Sequence, residues 1–316
     1  MKFLLKSLAL TAICGLGFNS CKKDQQETPE NFSPFISQVF AYVPAPGQFV
    51  NDPSSGTAEK AKDLIGGVDN GLVSLGAYGG YIIFGFDHSI KNESGPDLGI
   101  FGNPVTINGA EWSEPGIVMV MEDTNKNGLP DDTWYEIAGS GHAATGTIKK
   151  YEITYYKPDK LQDDIKWTDN QGKSGFILRN AFHTQAYYPV WANEKASFTF
   201  NGTLLENTFK DGGVLSNKPF DFGYSDSGSA EYLRLQETRG RGYNAFDIDW
   251  AMTEQGEQAN LKKIDFVKVY TGQNHNGSPV TDAANSTARV TGEVSTEVAG
   301  AVDIRLYNKF FSPIPQ

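Results

Sequence analysis

Several short stretches of the chain are apolar without a helical period. Tyr81–Phe86 (YIIFGF), Gly116–Met121 (GIVMVM) and Ile264–Tyr270 (IDFVKVY) are rich in β-branched and aromatic residues. They are apolar on both faces, which predicts central strands. Tyr151–Tyr156 (YEITYY) and Ser197–Leu205 (SFTFNGTLL) alternate apolar and polar residues, as half-buried strands do. Ala245–Trp250 (AFDIDW) alternates as well. Its pattern predicts Phe246, Ile248 and Trp250 on one face and Asp247 and Asp249 on the other. Only Thr57–Ile65 carries helical spacing, and no internal repeat stands out. Many short strands separated by Gly and Asn turns predict an all-β fold, a jelly-roll β-sandwich.

The first residues follow a different rule. Lys2 and Lys6 form a basic start, and an almost uninterrupted apolar or small run extends from Leu4 to Phe18. The run is too short to span a bilayer as a helix and polar sequence follows it, which predicts a signal peptide over residues 1–20. It ends in FNSC, where Ser20 before Cys21 suits signal peptidase II and makes Cys21 the predicted lipidation site. Cys14 lies inside the apolar run and is a poor cleavage site. The sequence holds two cysteines, so cleavage before Cys21 leaves no intrachain disulfide. Stability must then come from core and metal. Residues 21–36 are polar and proline-containing and predict a linker. Residues 37–316 are expected to form a single domain, with an insertion over about 157–221. The formal charge of −11 argues against nucleic acid and anionic membrane surfaces as partners. It suits divalent cations and neutral ligands.

The sharpest chemical motif is Asp123–Asp132 (DTNKNGLPDD). Asp123, Asn125 and Asn127 supply alternating oxygen ligands and Gly128 supplies the turn. Leu129 offers its carbonyl, and Asp131 and Asp132 follow. This is the spacing of an EF-hand calcium loop. Trp134 stands where that loop has its bidentate glutamate, so Asp132 or Glu136 is expected to complete the shell. The flanks read as strands, which makes the motif a calcium-stiffened hairpin. An Asn-Gly turn with solvated acids is the plainer alternative.

Other constellations are weaker. Asp247 and Asp249, with Asp87, Asp97 and Glu114 at predicted strand ends, suit a second metal site, strand-end hydrogen bonding or a glycosidase acid pair. His88, His142, His183 and His275 lack zinc spacing. No nucleophile elbow, P-loop or dinucleotide fingerprint occurs in a credible context. Tyr187, Tyr188 and Trp191, with Trp167 and His183, are candidates for an aromatic platform that would take sugar rings or large planar ligands. The alternative is that they are the insertion's own core.

The blocks VSLGAYGGYIIFGFDHSI, GPDLGIFGNP, EPGIVMVMED, AFDIDW and IDFVKVY occur in this order. Together they resemble the secreted jelly-roll domains, of galactose-binding or discoidin-like fold, of Bacteroidetes cell-surface proteins. The resemblance covers roughly Val68 to Ile304. FNSC and the KKDQQE run resemble the lipoprotein box and the surface-export signal of the same group. The resemblance implies an outer-membrane lipoprotein, exposed at the cell surface or, as the alternative, facing the periplasm, that binds a glycan or other nutrient without catalysis. Some such proteins are encoded beside cobalamin-uptake genes. Cobalamin passed to an outer-membrane transporter is therefore an alternative, and a glycoside hydrolase or lyase using Glu114, Asp247 or Asp249 is another.

Overall fold

The strands that are apolar on both faces lie in the middle of the molecule. The computed structural model describes residues 31–211, 215–234, 242–277 and 288–310. In it a six-stranded antiparallel sheet has the order Gln38–Val43, Tyr81–Lys91, Lys263–Thr271, Gly116–Met121, Tyr135–Ile137, Ala251–Met252. Val267 lies opposite Phe84 and Val120, and Val269 opposite Ile82 and Val118. These five side chains and Val269 itself belong to one apolar cluster with Leu98, Ile100, Phe246 and Ala301. The latter come from a second sheet, Leu233–Arg234, Gly242–Phe246, Leu98–Phe101 and Gly300–Asp303.

Residues one step along the same central strands point the other way. Tyr81, Ile117, Met119 and Tyr270 pack with Tyr151, Ile153, Tyr155, Phe198 and Phe200. Those rings belong to a third sheet, Ser174–Ile177, Ile165–Asp169, Ile148–Tyr156 and Ser197–Leu204. Period-two geometry thus buries the central sheet on both faces, at about 1.5–3 kcal/mol for each fully buried large side chain. The protein is all-β, built in layers. The outer strand Ser197–Leu204 keeps its alternation, with Phe198 and Phe200 buried and Ser197, Thr199 and Asn201 exposed. Much of the stretch expected as an insertion therefore forms the back layer, which begins earlier, at Ile148.

Thr57 caps the expected helix by accepting a hydrogen bond from the Lys60 amide. One α-turn over Ala58–Ala61 then passes into a 3-10 turn over Lys62–Leu64, burying Ala61 and Leu64. The Ala245–Trp250 expectation needs correction. Its strand ends at Phe246, the Asp247 carboxylate accepts from the Asp249 amide, and Ile248–Trp250 forms a 3-10 turn. A local Asp cap outcompetes the strand ladder there.

The described residues from Phe32 onward form one compact unit. Phe35 bridges to Val302 and Ile36 is buried in the core, so the end of the expected linker already belongs to the domain. The predicted signal peptide, the predicted lipidation site Cys21 and the residues up to 30 lie outside the described residues. Among the described residues no helix is long and apolar enough to cross a membrane.

Candidate ligand cavity and acidic centre

The Asp123–Asp132 segment closes on itself. The Asp123 carboxylate accepts hydrogen bonds from the amides of Asn127 (3.1 Å) and Gly128 (2.9 Å). Gly128 has φ +72°, the left-handed geometry that glycine adopts at least cost. The side chains of Asn125 and Asn127 donate to Asp131 at 3.0 Å and hold its carboxyl below the usual range. Asp123, Asn125, Asn127 and Asp131 therefore converge. Leu129 is exposed and its carbonyl accepts from the Asp131 amide. Glu136 is not placed to complete the set. Asp132 caps the loop, accepting from the Thr124 amide and hydroxyl. Glu136 turns inward and bonds His142, Thr203 and Tyr270.

The expected aromatic platform does not form. Trp167, Tyr187 and Tyr188 are buried in the core beneath the back sheet. Tyr187 Oη accepts from the Asn180 amide and Tyr188 Oη donates to the Lys195 carbonyl, so both polar ends are satisfied inside. Trp191 is half-exposed, but its ring leans on Phe198 at 4.7 Å and its Nε1 donates to the Pro44 carbonyl. Rings this large gain more from burial than from display. Of the five residues, His183 alone lines the cavity described next.

That cavity has a volume of about 390 Å³, within the range of small-ligand sites. Phe49, Trp112, Phe182 and His183 supply aromatic walls, and Glu114 and Glu297 face it as acids. Phe182 is 75% exposed and Val290 57% exposed, so both stand at the mouth. The Phe49 and His183 rings meet edge-to-face at 4.6 Å. The polar wall is braced: Asn180 Nδ2 donates to Gln48 Oε1 at 3.0 Å, and the Gln48 amide donates to Glu293 Oε1 at 2.7 Å. Burial pushes the Glu293 carboxyl up to about 8.

Below the cavity, ligand oxygens of Glu114, Asp226 and Glu297 all lie within 4.8 Å of one another. Backbone donors fix two of the three carboxylates. Glu114 accepts from the Ser295 amide at 3.1 Å, and Asp226 accepts from the amides of Asn103 and Glu297, both at 2.8 Å. Asp226 sits at φ +52°, a left-handed position that aspartate tolerates. Glu297 pairs across the short two-stranded ladder with Ser74. Burial raises all three carboxyls, and for Asp226 and Glu297 the Glu114 charge adds to it. Among the described residues none of the three makes an ion pair with Lys, Arg or His. So many acids at this spacing cannot all ionise without a counter-charge, and the group could hold a metal ion.

Of the strand-end acids singled out in the sequence, only Glu114 joins this centre. Asp97 is buried by bonds to the amides of Glu93 and Ile248, Asp87 pairs with His88, and Asp249 accepts from Asn92. Asp226 and Glu297, 71 residues apart, carry no local spacing signal that sequence reasoning could have used. Phe182 directly precedes His183 and the aromatic candidates of the same segment, but the exposed ring is this one and not its tyrosine neighbours. Comparison with protein-family models and with curated proteins gives no match.

Proposed function

We propose that this chain is a lipid-anchored outer-membrane protein that binds a small polyhydroxylated ligand, such as a glycan fragment, in the cavity between Phe182 and Glu114 without turning it over. The observation that carries the reading is the cavity itself: exposed aromatic and aliphatic groups at the mouth, amides and carboxyls inside. Ring faces pack on the C–H faces of sugars, and a few fixed polar groups give orientation. The volume favours such a ligand over the much larger cobalamin. The anchor at Cys21, the surface location and delivery to an outer-membrane transporter rest on the sequence resemblance. A jelly-roll reading of the two sheets that share the Ile82–Val118–Val267 core is supported by their antiparallel, non-sequential strand order. The convergence of Asp123, Asn125, Asn127 and Asp131 supports calcium in the hairpin loop, where a hard cation suits the oxygen donors.

The test is titration calorimetry of the protein and its Phe182→Ala variant against a panel of mono- and oligosaccharides and cobalamin. A sugar should bind the wild type and bind the variant at least tenfold more weakly, about 1.4 kcal/mol. Tm should not change, because the Phe182 ring is mostly in solvent. Binding indifferent to Phe182→Ala, or binding of cobalamin alone, would overturn the reading. Release of a cleaved sugar would point to hydrolysis at Glu114 instead.

A further inference from the structure

We infer that Glu114, Asp226 and Glu297 hold a buried divalent cation at the base of the cavity, distinct from any ion in the Asp123–Asp131 loop. Calcium ligands sit about 2.3–2.6 Å from the ion, so ligands on opposite sides of one ion stand about 4.6–5.2 Å apart. The three carboxylates, with ligand oxygens within 4.8 Å of one another, fit a single such shell. An all-oxygen, anionic donor set suits a hard cation such as Ca²⁺, Mg²⁺ or Mn²⁺.

A second observation points to a ligand at this place. Glu297 is 4% exposed and its carboxyl hydrogen-bonds with Glu114 and the Ser74 side chain, yet its Oε1 has no hydrogen-bond donor. A buried carboxylate oxygen without a donor is costly unless a proton or a cation reaches it. Backbone amides already hold Glu114 and Asp226 in place, so the cluster is preorganised and need not be gathered by the ion. Glu114 and Glu297 face the cavity, which gives the ion a path in.

The residues come from three distant parts of the chain. Glu114 precedes the central strand Gly116–Met121, Asp226 lies in a bend, and Glu297 belongs to the short strand Glu297–Val298. An ion here would fasten those segments together, in a chain whose two cysteines both lie at its N-terminal end. It would also neutralise acids that otherwise repel one another. This inference stands whether or not a small molecule occupies the cavity.

The test uses the full chain carrying Asp123→Ala, to disable the hairpin loop, after chelation. Trp112 hydrogen-bonds to Glu114, so its indole lies against the centre. Added Tb³⁺ should give tryptophan-sensitised emission that Ca²⁺ displaces, and Ca²⁺ should raise Tm. Trp112→Phe should dim the emission while leaving the Tm rise. Glu297→Gln should weaken binding at least about tenfold. Should Glu297→Gln fail to fold, Glu114→Gln and metal analysis of the Asp123→Ala protein, expected to retain one ion, decide the matter. No Tm rise and no emission in the Asp123→Ala background would overturn the inference and leave shared protons as the occupants. Emission that survives both carboxylate substitutions would overturn it too.

Discussion

Glu136 shows how completely surroundings decide what a carboxylate does. It stands near the hairpin loop in sequence, yet its side chain bonds His142 Nε2 (2.8 Å), Thr203 Oγ1 (2.7 Å) and Tyr270 Oη (2.8 Å) under the back sheet. Burial alone would raise its pKa. The hydrogen bond and charge of His142, with Thr203 and Lys149, outweigh that and bring it from 4.5 down to about 2. A folded value below the unfolded one means the unfolded chain binds more protons in that interval. The stabilisation is therefore complete above about pH 4.5 and is lost as pH falls toward about 2. Melting curves across this window should show a falling Tm that Glu136→Gln makes shallower. The substitution should cost about 1.5–3 kcal/mol at neutral pH, the range for a hydrogen bond to a charged group. An unchanged pH slope in Glu136→Gln would show that other acids dominate the acid limb.

At the scale of elements, legibility followed local physics. The central strands could be read because both of their faces are apolar, and Ser197–Leu204 because only one is. The break after Phe246 was hidden, since an alternating pattern does not reveal that Asp247 will cap its own turn. Aromatic density at residues 182–191 was visible, but composition does not separate a core ring from a displayed one. Tyr187 and Tyr188 went inside because backbone partners for their hydroxyls were within reach. The hairpin loop is the element whose chemistry was most local, and its prediction belongs here. Calcium titration should stabilise the wild type, and Asp123→Ala should remove a single ion per chain and the matching stabilisation. That loss should be about 2.7 kcal/mol at a hundredfold excess over the loop's Kd. Identical calcium titrations for wild type and variant would rule out the loop as a site.

At the scale of the whole molecule, Glu114 and His183 could be singled out one by one from the sequence, but the cavity and the acidic centre as assemblies are products of topology. The cavity wall draws on residues from Gln48 to Glu297, and none of its contributing segments carries a motif. What makes it a site is the layered sheet framework, which fixes short loops from distant parts of the chain against one another, as rigid scaffolds commonly do for recognition. Two apolar groups at the mouth, Phe182 and Val290, are exposed. The central claim is that this cavity is where the ligand sits. The most direct measurement is a crystal structure of the protein soaked with the tightest-binding sugar from the titration panel. The account predicts ligand density between Phe182 and Glu114, with polar contacts to Gln48 or Asn180. Density on any other face, with the cavity unchanged, would contradict it.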